Sequence, residues 1–177
     1  MSASSNSANL LGHTLTSSGE SLAALSEKSP VLLVLLRHEG CTFCRNAMSD
    51  IARLRRQIED VGTRIVLGHM GTAEDFAAFA GRYGLGDIAA VADPERTLYK
   101  GLGLQRGRMA QLIGLRVLCA WVRSTVQGHL PGRIKGDTLQ LPGAFLLHHG
   151  HVVKSHTYRD AADRPDYVTL ATALQAA

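Results

Sequence analysis

Apolar and polar positions along this chain switch repeatedly between two periods. Val31 to Leu36 is an unbroken apolar run of strand length, bounded by Pro30 and the polar Arg37-His38-Glu39-Gly40. It predicts a strand buried on both faces. A helical period follows at once: Ala47, Ile51, Leu54 and Ile58 share one face, and Arg53, Arg55, Arg56, Glu59 and Asp60 occupy the rest. That spacing predicts an amphipathic helix ended by Gly62. Arg64 to Gly68 reads as a second strand. Thr72 then caps a helix running to Tyr83, with Glu74 and Asp75 in its first turn and Phe76, Phe79, Ala80 and Tyr83 facing inward. Ile88 to Ala92 is a short third strand. Asp93-Pro94-Glu95 opens a further helix, with proline at its first position, that reaches Leu102 before Gly103.

The later part of the chain reads as a hairpin and a closing helix. Ala144 to His148, the turn His149-Gly150 and His151 to Ser155 make the hairpin. Pro165 to Gln175 carries Tyr167, Leu170 and Leu174 on one face. Two stretches are less regular. Met1 to Asn9 consists largely of Ser, Ala and Asn and is expected to be disordered, and Leu10 to Ser29 has room for a short helix before Pro30. Residues 1–29 are thus expected to form a partly disordered N-terminal extension, and 30–177 a single domain. Met109 to Val126 is apolar but broken by Gly114 and Arg116. It predicts an inserted helix around 105–126 that either covers the core or faces a partner. Strands alternating with helices imply a parallel core, and the late hairpin adds antiparallel strands at one side. The expected fold class is α/β, with a mixed central sheet flanked by helices.

Composition narrows the function classes. With 177 residues, 45% hydrophobic and 19% charged, the chain can bury a core without disulfide or metal staples. Aromatics are 5%, with one Trp, so a stacking platform for nucleic acid is not expected. No 18-residue stretch is apolar and uncharged, so no membrane span is expected. The net charge of +4 is uneven: Gln105 to Lys135 holds Arg106, Arg108, Arg116, Arg123, Arg133 and Lys135 and no acid, which leaves the rest of the chain slightly negative. Such a segment is either a solvated basic face or a surface for anions or a partner. Met1 to Leu25 has neither the basic start nor the apolar run of a secretory signal, so a cytoplasmic location with reduced thiols is expected.

In that setting the three cysteines are too few for a disulfide scaffold, and two of them stand close together in Gly40-Cys41-Thr42-Phe43-Cys44-Arg45, between the predicted buried strand and the amphipathic helix. Unpaired amide N–H groups and the positive dipole end of a helix stabilise a thiolate there, and the thiolate is the form that attacks disulfides and peroxides. Arg37, His38 and Arg45 are placed to lower the thiol pKa further. A structural zinc site needs two more ligands, for which His148, His149 and His151 are the only group, and a chance pair in the core is the remaining alternative. Redox chemistry leads because strand, Cys-x-x-Cys and helix coincide. No cofactor or metal is expected. Cys119, on the apolar segment, reads as an inert buried residue. Arg159 follows the last strand and either approaches the site or forms a surface ion pair, the second reading being preferred. Pro142, just before the hairpin, is by position alone a loop breaker ahead of a strand.

The chain resembles the thioredoxin-fold, peroxiredoxin-like proteins of the alkyl hydroperoxide reductase/thiol-specific antioxidant family, in the selenoprotein-L-like or peroxiredoxin-like-2 branch. The resemblance rests on Leu36 to Arg45, Ile65 to Gly68 with Gly71-Thr72, Ala92 to Tyr99, Leu102 to Leu104 and Leu141 to Leu146, in that order and spacing. It implies a thioredoxin-like fold and a thiol-disulfide oxidoreductase with peroxiredoxin-like antioxidant activity, acting on hydroperoxides or disulfides. Aligned on Cys44, the usual Pro-x-x-x-Thr-x-x-Cys pattern has Arg37 for its proline and Cys41 for its threonine. A thioredoxin-type site makes Cys41 the exposed nucleophile and Cys44 the resolver, whereas the peroxiredoxin alignment argues the reverse; the first assignment is preferred. Arg37 and Arg45 are then the thiolate-stabilising residues, and Thr42 and Pro142 the substrate-binding ones, the resemblance to a thioredoxin-like fold implying that Pro142 is a cis-proline facing the cysteines, with exposed backbone groups that can pair with a substrate. The expected partners are an external thiol reductant of thioredoxin or glutathione type and a peroxide or disulfide substrate, with the protein a monomer or weak dimer. The competing reading is a binding module that keeps the fold and recruits a partner through its basic helical insertion.

Overall fold

A computed structural model describes residues 2–38, 40–107, 137, 139–159 and 163–175. Its centre is a five-stranded mixed sheet of order β3-β2-β1-β4-β5, built from β1 (Val31–Leu35), β2 (Arg64–His69), β3 (Ala90–Ala92), β4 (Gly143–His148) and β5 (His151–Thr157). β1 lies in the middle, parallel to β2 with Val31 opposite Arg64, and antiparallel to β4 with Val31 opposite Leu147. The unbroken apolar run has its physical reason here. Leu32, Val34 and Leu36 enter a core under α3 (Thr42–Asp60), α4 (Ala73–Gly81) and α6 (Tyr167–Ala171). Val31, Leu33 and Leu35 enter a second core under α1 (Ser2–His13), α2 (Leu22–Lys28) and α5 (Thr97–Gly101). A strand covered on both faces has no polar side to show.

The expected α/β order is observed. α3 buries Ala47, Ile51 and Ile58 and ends at Val61, with Gly62 at a positive φ of 78°. Thr72 caps α4 by accepting from the Asp75 N–H, but the helix ends at Gly81, so Tyr83 packs from the following turn. The hairpin turns at His149 and Gly150, both at positive φ, as a tight two-residue hairpin of matching twist requires. His149 also pairs with Glu27, which seats the turn on α2.

Two local expectations are corrected. Ser2–His13 is helical, and Leu11 of that helix is fully buried in the second core; its docking supplies the stabilisation that a Ser- and Ala-rich composition does not announce. Pro94 does not begin α5. The Asp93 carboxylate instead accepts from the N–H groups of Thr97, Leu98 and Tyr99 at 2.9, 2.8 and 3.3 Å, so the helix starts at Thr97 and Pro94 sits in the turn before it. The expected helix around 105–126, Cys119 and most of the basic segment fall outside the described residues. Within them, Arg106 pairs with Asp137, which also pairs with Arg96. No described helix is long and apolar enough to cross a membrane.

Candidate active site

The chain leaves the sheet at Leu36, whose N–H makes a last bond to the Gly68 carbonyl at 2.8 Å. It turns through Arg37 and His38, where the Cys41 N–H meets the His38 carbonyl at 3.0 Å, and enters α3 with Cys41 as the residue before its first turn. Burial of β1 and of the inward face of α3 leaves this turn little freedom, so both cysteines are delivered to the C-terminal end of the central strand.

Cys41 and Cys44 are both free thiols and both buried, at 6% and 3% exposure. The expectation that Cys41 is exposed is therefore corrected; it packs against Arg37, which is itself only 7% exposed. Arg37 meets the pair twice. Its guanidinium Nη1 lies 3.6 Å from Cys41 Sγ, and its backbone N–H donates to Cys44 Sγ at 3.3 Å.

The two sulfurs are electrically unequal. A hydrogen bond from the Cys44 thiol is the largest influence that pulls the Cys41 pKa down, and the Arg37 charge and the N–H groups of Phe43 and Cys44 at the start of α3 add to it against the cost of burial. Neither N–H closes a regular capping bond, yet both direct positive dipole ends at the sulfur, as helix starts do. Burial pushes the Cys44 thiol up, and its position beside Cys41 pushes it further. The pair thus separates into one sulfur inclined to ionise and one inclined to keep its proton.

His38 does not supply the expected charge. Burial, with the Arg37 charge beside it, lowers its pKa to about 4, so the ring is neutral near pH 7. Its part is played by its backbone, which accepts from the Cys41 N–H and offers its own N–H to Cys44. Arg45 stands half-buried in the first turn of α3, and its charge is felt at the Tyr83 hydroxyl. Thr42 is buried as the first residue of α3.

Pro142 does come to Cys44, but not as a cis-proline: the described backbone has no cis peptide bond. Just before it, Arg106 and Gln140 form a bridge and the Leu141 N–H bonds to the Gln105 carbonyl. Pro142 lines a crevice with Leu36, Arg37, Phe43, Cys44, Ala47 and Tyr158. Its free volume is about 10 Å³, roughly the space of one water.

Tyr158 and Ala47 were not legible as site residues. Tyr158 arrives from beyond β5, with its hydroxyl 3.1 Å from that of Tyr167, and no local pattern marks it. Arg159 points outward and pairs with Asp163, as expected. Among the described residues no three His, Cys, Asp or Glu side chains converge on a metal position, the hairpin histidines included.

The profile of the family described as "AhpC/TSA antioxidant enzyme" matches residues 50–160, beginning just after the two cysteines. Peroxiredoxin-like 2A of Danio rerio is 29% identical over 161 residues, covering 87% of this chain and 70% of that protein. Prostamide/prostaglandin F synthase of Salmo salar is 30% identical over 162 residues, covering 86% and 78% respectively. Among solved structures, peroxiredoxin Q of Xanthomonas campestris superposes with a TM-score of 0.61 at 16% identity, covering 92% of this chain and 89% of that one, which shows a shared thioredoxin fold. A buried strand that hands its cysteines to a helix start, on this sheet and with these relatives, places the chain in the AhpC/TSA antioxidant enzyme family as a peroxiredoxin-like protein of thioredoxin fold.

Proposed function

We propose that the protein is a thiol-disulfide oxidoreductase with peroxiredoxin-like antioxidant activity, in which Cys41 is the nucleophile and Cys44 the resolver. The observation that carries this reading is the inequality of the pair: the Cys44 thiol donates to Cys41 and the Arg37 guanidinium lies 3.6 Å from Cys41 Sγ, while burial keeps the proton on Cys44. Family membership supports a peroxide as the oxidant.

The Cys41 thiolate attacks one oxygen of a hydroperoxide; the O–O bond breaks, the alkoxide leaves and takes up a proton as an alcohol, and Cys41 becomes a sulfenic acid. The Cys44 thiol condenses with it, forming the Cys41–Cys44 disulfide and releasing water. An external dithiol or two monothiols, of thioredoxin or glutathione type, return the pair to the reduced form and are themselves oxidised to a disulfide. With a disulfide substrate, the Cys41 thiolate displaces one thiol to form a mixed disulfide, and Cys44 attacks Cys41 Sγ, releasing the second thiol and closing the Cys41–Cys44 disulfide. Arg37 holds the negative charge, while Pro142 bounds the space into which substrate enters. Both sulfurs are buried, so attack follows a local opening around Arg37.

The test is hydroperoxide and disulfide turnover by the reduced protein, compared with Cys41→Ser and Cys44→Ser. Cys41→Ser is expected to abolish both activities, and Cys44→Ser to consume one equivalent of hydroperoxide and stop. Equal turnover by Cys41→Ser and the parent protein overturns the reading, and the opposite pattern between the two variants exchanges the roles.

A further inference from the structure

We propose that Tyr99 is a positioning residue for the dithiol, holding through its hydroxyl the peptide unit that presents Arg37 to both sulfurs. The inference rests on the reading of Cys41 and Cys44 as a redox pair and adds a residue remote in sequence that sets their inequality.

The hydroxyl of Tyr99 donates to the Leu36 carbonyl in a short bond and lies 3.3 Å from the Gly68 carbonyl. Leu36 is where β1 stops pairing: its N–H still reaches β2, and its carbonyl is met by Tyr99. That carbonyl and the Arg37 N–H belong to one peptide unit, which is planar and, being trans, directs them to opposite sides. One side of the plane is held by Tyr99, and the other donates to Cys44 Sγ at 3.3 Å. A rotation of this plane that swings the carbonyl off Tyr99 also swings the N–H off Cys44, and it re-aims the Arg37 side chain whose guanidinium lies at Cys41. Tyr99 resists that rotation because it does not move easily itself. It is fully buried, and it stands in α5 where Asp93 anchors the first three N–H groups. Without the hydroxyl, the Leu36 carbonyl is a buried acceptor that has lost its partner, and turning toward another donor relieves that cost.

The experiment measures iodoacetamide alkylation of Cys41 against pH, with the modified residue identified by mass spectrometry, in the full chain and in Tyr99→Phe, alongside the thermal midpoint of each. Tyr99→Phe is expected to raise the apparent Cys41 pKa by about one unit, the scale of a lost nearby charge, slowing alkylation at pH 6 by about fivefold while the protein remains folded. A purely structural role lowers the midpoint and leaves the pKa of the folded protein where it was, and that result overturns the proposal. Should Tyr99→Phe not fold, Asp93→Asn loosens the seat of α5 with the hydroxyl in place. It is expected to move the pKa the same way by a smaller amount, and no movement overturns the proposal. A low pKa in the parent chain that Tyr99→Phe leaves untouched removes only this proposal, whereas an ordinary thiol pKa in the parent chain removes the redox reading with it.

Discussion

Arg37 lies against Cys41 through its guanidinium, at 3.6 Å, and against Cys44 through its backbone N–H, at 3.3 Å, so one residue meets both sulfurs with different groups. Only the first contact depends on the side chain. Arg37→Met is therefore expected to raise the Cys41 pKa by about one unit while leaving the backbone bond to Cys44 in place, and Arg37→Lys to restore part of the shift. Stability should change little, because replacing a buried charge with an apolar side chain of similar length also removes its desolvation cost. Alkylation profiles and urea midpoints of the two variants check both halves, and a Cys41 profile unmoved by Arg37→Met rules out its charge as a stabiliser.

The largest influence on Cys41 is the hydrogen bond from Cys44. Cys44→Ser keeps a donor at that position and Cys44→Ala removes it. The Cys41 pKa should therefore stay low in the serine variant and rise in the alanine variant. The parent profile should have its midpoint at about 6, well below that of the denatured chain. Identical alkylation profiles for the two variants would show that the bond does not act.

His69 is buried at the end of β2, with its ring stacked on Phe76 at a centroid distance of 4.0 Å. Burial is the main cause of a pKa lowered to about 4, against about 6.5 for an unfolded histidine. Between those values the unfolded chain binds the proton and the folded one does not, so stability falls as the pH drops from about 6.5 toward 4. His69→Phe keeps an aromatic ring for the stack and removes the titration. Its loss of thermal midpoint between pH 7 and pH 5 should be smaller than that of the parent, with His38 contributing the remainder through the same mechanism. Equal losses in parent and variant would exclude His69 as a source of the acid sensitivity.

Gly68 sits where β2 faces β1. A Cβ placed there falls 2.2 Å from Cδ2 of Leu35, which is fully buried. Gly68→Ala must displace that side chain within a closed core, at a cost of about 1–3 kcal/mol, read as a lower urea midpoint with an unchanged slope. Gly62, at the end of α3, has open space around its Cβ position but a positive φ, so Gly62→Ala is destabilising through its backbone and without disturbing the core.

Much of the fold was legible because its signals are local. The run Val31 to Leu36, the face formed by Ala47, Ile51 and Ile58, the Thr72 cap and the His149-Gly150 turn each act within a few residues, where backbone period and hydrogen-bonding needs leave few choices. The placing of Cys41 and Cys44 at a helix start is of the same kind, since strand, turn and helix adjoin in the chain. Tertiary structure decided what local pattern does not encode. It buried Cys41 against Arg37, placed Leu11 in the second core, made the bond before Pro142 trans, and brought Tyr158 to the crevice beside Cys44. It also joined Tyr99 to Leu36 across 63 positions. Such contacts exist only once the sheet has set the distances between elements, because a side chain's partner is then chosen by what the closed core leaves within reach, not by its neighbours in sequence.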